Sequence, residues 1–162
     1  IGIGINSDNV ITGNIGSKKR MEFTAIGDGV NLAARLESAT KHYGCDIIIS
    51  ENTYQLWSEQ IQVRELDYIC LKGKNQPVRI YELQGLKEEA LPGSVQDLWG
   101  HYHHGRQQFE AGNFTNAIAA FQQSLRINPC DRPTQIQLKR CLKLQHHPPV
   151  KSWDGVWVLK EK

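Results

Sequence analysis

The sequence predicts an α/β fold followed by a small all-α region. Three observations carry that expectation. Strand-like and helix-like stretches alternate as far as residue 85. An apolar strand breaks at Gly27-Asp28-Gly29 and restarts as a helix, and beyond a charged stretch ending in Pro92-Gly93 the apolar periodicity is helical. With 162 residues, 40% of them hydrophobic, the chain is long enough to pack a core as a soluble, globular protein.

The elements follow in order. Residues 1–6 alternate glycine with isoleucine, and residues 10–15 are again apolar around Thr12-Gly13, which predicts two short strands separated by a turn at 6–9. Residues 21–26 make the next strand. A helix over 29–42 is expected, with Asp28 as its cap and Tyr43-Gly44 as its end. The β-branched run DIIIS at 46–50 reads as a buried strand and 52–59 as a short helix. Residues 62–71 and 78–83 form a strand pair around the 72–77 loop. After a linker at 86–94, helices are expected at 95–111, 113–128 and 134–145, the second stopped by Pro129. Residues 146–162 form a tail that reads as a docked terminal segment.

Composition narrows the function. Nineteen basic and 17 acidic residues give a net charge of +2 with no long like-charged block, so nucleic acid is not favoured as a partner. No apolar run reaches the ~18–20 residues that span a bilayer, so no membrane contact is expected from this segment. Cys45, Cys70, Cys130 and Cys141 lie far apart without a CxxC pair. Reduced, mostly buried thiols in a cytoplasmic setting are therefore expected. His101, His103, His104, His146 and His147 lack metal-ligand spacing and read as a solvated face.

The chemistry concentrates in FTAIGDGVNLAARLE, residues 23–37. Asn31 and Arg35 stand four positions apart, which places an amide and a guanidinium on one helical face. Near a helix N-terminus, behind two glycines, that pair suits a phosphate whose charge grows during reaction. An ordinary solvated helix face would show the same spacing.

Further motifs separate these readings. The GIGI strand, the GNIGS turn, the Arg-Met-x-Phe-Thr stretch and GDxVNLAARLE occur in the order and spacing of class III adenylate and guanylate cyclases. Residues 1–85 resemble the C-terminal part of that catalytic domain, with CLKGKNQPVRIYEL as its closing strand pair. The resemblance implies a ferredoxin-like cyclase domain truncated at the N-terminus. Ile1 would then stand at or just before a strand, and an upstream part would hold the first strand, two helices and a hairpin. It implies a homodimer in which one protomer supplies two metal-binding aspartates, for Mg²⁺ or Mn²⁺, and the other the groups that meet the transition state. Neither Asp8 nor Asp28 matches the metal motifs, so no metal ligand is assigned here.

By the same resemblance Asn31 would orient the ribose and Arg35 stabilise the α-phosphate. Thr24, seven residues before Asn31, would accept from the adenine amino group with the Ala25 backbone beside the base, which favours ATP over GTP. Lys72 would contact the terminal phosphates. Lys18, Lys19 and Arg20 resemble the tip of a hairpin used in dimer contacts and equally suit a solubilising turn.

The helical region resembles a single tetratricopeptide repeat. Gly105, Gly112, Ala117, Phe121 and Pro129 fall at its signature spacings, while Gln108 and Ser124 stand where an aromatic and a small residue are usual. A lone repeat cannot bury its apolar stripe, so the 134–145 helix is expected to cover it. The tail, with Trp153 and Trp157, resembles those of cyanobacterial-type multidomain adenylate cyclases. A protein-interaction module, binding a peptide or its own chain through residues 102–109, is the competing function.

Overall fold

The computed structural model describes residues 1–17, 20–70, 76–149 and 152–159. Its elements are β1 (Ile3–Ile5), β2 (Ile11–Ser17), β3 (Arg20–Ile26), α1 (Asp28–Tyr43), β4 (Ile47–Ser50), α2 (Glu51–Trp57), β5 (Ile61–Cys70), β6 (Val78–Leu86), α3 (Gly93–Glu110), α4 (Phe114–Ile127), α5 (Arg132–His146) and β7 (Trp157–Val158). Five strands form one sheet in the order β1-β4-β6-β5-β7, and β2 pairs with β3 as a separate antiparallel hairpin. β1 and β4 run parallel, as strands joined by a long crossover can. β4, β6 and β5 are antiparallel neighbours.

The alternating glycines of the first strand have a steric cause. A Cβ at Gly4 would collide with the backbone of Ala33 and Glu37, and one at Gly2 with the Thr40 side chain. α1 therefore lies directly on β1. Leu32, Leu36, Ala39 and Tyr43 of α1 close a core with Ile48, Leu66, Ile69 and Ile80 of the sheet. Each leucine and isoleucine among them contributes roughly 1.5–3 kcal/mol on burial. α1 ends at Gly44, in the left-handed region at φ 71°, whose N–H donates to the Thr40 carbonyl over 2.8 Å.

The three helices after residue 92 stack in sequence order around Tyr102, Phe109, Ala117, Phe121 and Cys141. They do not stand apart from the sheet. The Tyr102 hydroxyl donates to the Leu66 carbonyl (2.8 Å), as does Gln137 Nε2 (3.0 Å). The tail returns to add β7 in parallel beside β5, with Ile69 opposite Trp157. Trp153 packs on Phe109 and Phe114 and donates its indole N–H to the Phe109 carbonyl (2.7 Å). Two expectations need correcting. Only Cys45 and Cys141 of the four cysteines are buried, burial pushing the Cys141 thiol up to about 12, while Cys130 is exposed. Asp28 does not cap α1: Gly27 holds the cap position with no side-chain hydrogen bond, and Asp28 lies in the first turn. There its charge still suits the positive end of the helix.

Candidate active site

β3 delivers the chain to α1 through Gly27, and Asn6 fixes the start of the helix by donating from Nδ2 to the Gly29 carbonyl (3.1 Å). The buried stripe of Leu32, Leu36, Ala39 and Tyr43 sets the rotation of the helix. That rotation leaves Asn31 exposed and Arg35 half-buried. The Nη1 atom of Arg35 is buried and has no hydrogen-bond partner among the described residues. A guanidinium donor withdrawn from water and left unpaired is costly, and Arg106 Nε and Asn6 Oδ1 are in the same condition. A planar, permanently charged donor fork of this kind fits a phosphate.

Thr24 is exposed on β3 opposite Gly13, and Ala25, half-buried, is opposite Thr12. The structure thus carries Thr24 and Ala25 on the strand that feeds α1, and Asn31 and Arg35 on one face of that helix. Lys72, Lys18 and Lys19 lie outside the described residues. Among the described residues no group of three or more His, Cys, Asp or Glu side chains could hold a metal ion. The side chains described here do not by themselves fit Mg²⁺ or Mn²⁺.

Sequence reasoning missed a second polar cluster, at the far end of α1. Asp67, fully buried on β5, receives the Tyr43 hydroxyl (2.5 Å), pairs closely with Arg140 of α5 and lies 3.3 Å from Arg106 Nη1 of α3. Burial alone would push the Asp67 carboxyl up, but Arg140 and Arg106 outweigh it and hold it below the usual carboxylate range. Arg64 bridges Glu82 (2.8 Å) and Asp131 (2.9 Å), and Asp131 also caps α5 by accepting from the Thr134 N–H (3.1 Å). The only local signal was charge at inward positions of an apolar strand, Arg64 and Asp67.

Strand, glycine break and helix with an unpaired guanidinium make up the candidate site, and the family of the chain is shown by comparison. Residues 1–85 match the adenylate and guanylate cyclase catalytic domain, and the chain belongs to that family. It is 35% identical over 147 residues to the terminal-differentiation-specific adenylate cyclase of Dictyostelium discoideum, an alignment covering 88% of this chain and 7% of that protein. It is 40% identical over 87 residues to an adenylate cyclase of Anabaena cylindrica, covering 52% and 17% respectively. The chain therefore spans less than a fifth of these two relatives. At 147 residues the first alignment is too long to stop at residue 85, so the likeness includes part of the helical region. Among solved structures, the adenylyl cyclase CyaB of P. aeruginosa is 38% identical, with a TM-score of 0.47 over 54% of this chain and 44% of that one. The guanylyl cyclase Cya2 is 37% identical, with a TM-score of 0.48 over 54% and 43%. Among the described residues, no helix is long and apolar enough to cross a membrane.

Proposed function

We propose that this chain supplies the transition-state half of a dimeric adenylate cyclase site. The reaction joins the ribose 3′-oxygen of ATP to its own α-phosphorus, breaks the bond to the β-phosphate oxygen and releases pyrophosphate and cyclic AMP. Arg35 carries the argument: its buried, unpaired Nη1 is a preorganised donor for the charge that builds on the α-phosphate, and it needs no rearrangement as the charge grows. Asn31, one turn earlier, orients the ribose. Thr24 accepts from the adenine amino group, the Ala25 backbone lies beside the base, and Lys72 meets the terminal phosphates. Residues 1–85 form the cyclase part, 86–94 a linker, and 95–145 a tetratricopeptide-like unit with its covering helix, ahead of the tail. A homodimer supplies the other half-site, and the Mg²⁺ or Mn²⁺ ligands belong to the partner protomer.

The test mixes this chain with a family protomer that has intact metal-binding aspartates but alanine at its own Asn and Arg positions, and measures cyclic nucleotide from ATP and from GTP. Cyclic AMP should form only in the mixture. Arg35→Ala should lower kcat by about 10²-fold, the usual cost of removing a donor aimed at developing charge, with little change in KM. Cyclic GMP as the main product would turn the base assignment of Thr24 towards guanylate cyclase. Silence in a mixture shown to form heterodimers would favour the protein-interaction module.

A further inference from the structure

We propose that α5 is a positioning element for this reaction, with Arg132 and Arg140 holding the C-terminal end of α1 and so fixing where Asn31 and Arg35 stand. The proposal rests on the cyclase reading for what those two residues do.

The last carbonyls of a helix have no partner inside it and carry the negative end of its dipole. In α1 the Thr40 carbonyl is taken by the N–H groups of Gly44 (2.8 Å) and Cys45 (3.1 Å). The His42 carbonyl is taken by a residue 90 positions away, Arg132, whose Nε donates over 2.8 Å. The aliphatic stem of Arg132 lies over Gly44, where a Cβ would stand only 2.9 Å from Arg132 Cδ. The next residue, Tyr43, is fully buried and donates to Asp67, and Arg140 holds the same carboxylate while its Nη2 lies 3.5 Å from the Tyr43 hydroxyl. Arg140 is itself stacked over the Trp157 ring, 4.6 Å from its centroid. Two consecutive residues at the end of α1 are therefore held by two residues of α5, one through a carbonyl and one through a shared carboxylate.

Such a hold reaches the site because α1 moves as one piece. It is an uninterrupted helix of 16 residues with no proline and with its one glycine in the first turn. At 1.5 Å per residue, Arg35 stands about 12 Å from Tyr43, so freedom at the C-terminal end becomes tilt or rotation at the guanidinium. A misplacement of about 1 Å can cost up to 10²-fold in rate. Helix start, middle and end are thus set by different elements: Asn6 at Gly29, β1 under Ala33 and Glu37, and α5 at His42 and Tyr43. Only the last belongs to the helical unit, which gives that unit a path to the chemistry.

Arg132 is exposed, so its substitution tests the hold without emptying the core, and Tyr43→Phe removes one hydroxyl. The chain carrying Arg132→Ala, Arg132→Lys or Tyr43→Phe is mixed with the complementing protomer, and three quantities are read: kcat and KM for ATP, amide hydrogen exchange across residues 28–43, and the melting temperature. Arg132→Ala and Tyr43→Phe should speed exchange in the last turns of α1 and lower kcat up to about tenfold while KM stays within about twofold, the pattern of a misaligned transition-state group. Arg132→Lys, which can still donate to the His42 carbonyl, should restore most of both. Unchanged exchange would show that α5 does not hold the helix. Faster exchange with unchanged kcat would reduce the contact to a structural one. If the unsubstituted chain makes no cyclic nucleotide, the cyclase reading fails and exchange alone decides whether the hold exists.

Discussion

The two flanks of this molecule solve opposite problems. On the flank formed by β5, α3 and α5, charges lie inside: Asp67 is 0% exposed and Arg106 3%, and each is paired. On the flank formed by β1 and the β2–β3 hairpin, apolar side chains lie outside: Ile11 is 77% exposed and Phe23 74%, with Ile15, Met21 and Ile26 beside them. Buried charge and exposed apolar surface are the two departures from ordinary burial that carry information. The ionic heads of the first flank have found partners within the chain, Arg106 Nε excepted. The second has not, and it is the one that carries Thr24 and leads into Asn31 and Arg35. Under the proposed function the open flank is the one that faces a second protomer, and the charged flank is its support.

The contrast breaks most severely at Asp67. Asp67→Asn would leave Arg106 and Arg140 buried without their shared anion, and breaking a buried pair in this way costs about 3–5 kcal/mol. Urea unfolding should show that loss, together with exposure of the helical unit to protease. A loss below about 1 kcal/mol would mean that the cluster is hydrated and that the packed flank is weaker than its geometry implies.

Much of this contrast could be read from the residues in order, and the unread part has a common cause. The order of strands and helices follows from period, glycine and proline, and each helix lies within two residues of its expected bounds, α5 included. That Asn31 and Arg35 share one face of α1 was legible because their spacing is local. The buried polar cluster was not, because Arg64 meets Asp131 and Asp67 meets Arg140 across 67 and 73 residues, and no local pattern encodes which distant charge a strand residue will find. The parallel pairing of β7 with β5 is hidden for the same reason, since a two-residue strand has almost no period. The exposure of the hairpin's apolar residues is hidden too, because nothing local says that β2 and β3 form a sheet of their own and leave them in solvent.

A gentler probe acts on the open flank. Phe23→Ser should leave the unfolding free energy of the chain unaltered within the ~0.5 kcal/mol typical of surface changes. Where Phe23 is an aromatic anchor between protomers, the same change should weaken self-association by about thirtyfold, or about 2 kcal/mol, measurable by sedimentation. Unchanged association with unchanged stability would place the dimer contact elsewhere on the chain.

The smallest effect separates two carboxylates on one strand. Burial pushes the Glu65 carboxyl up despite Arg79 at 2.5 Å and Arg106 nearby, whereas two arginines hold Asp67 down. The signs are opposite. A carboxyl raised in the folded state binds its proton more readily there than in the unfolded chain, so its contribution is full below the ordinary glutamate value and is lost as pH rises through the folded one. A carboxyl held low contributes above the ordinary aspartate value and loses that contribution as pH falls through the folded one. Stability measured by urea unfolding at steps between pH 3 and pH 7 should therefore differ between the parent and Glu65→Gln in slope as well as height. Above about pH 4.3 the parent should lose stability relative to the variant as pH rises. Below about pH 3.9 both should fall together, because Asp67 is untouched in each. A difference that grows in the parent's favour with rising pH would mean that Arg79 and Arg106 outweigh burial at Glu65, and that the two carboxylates of β5 belong to one uniformly satisfied network.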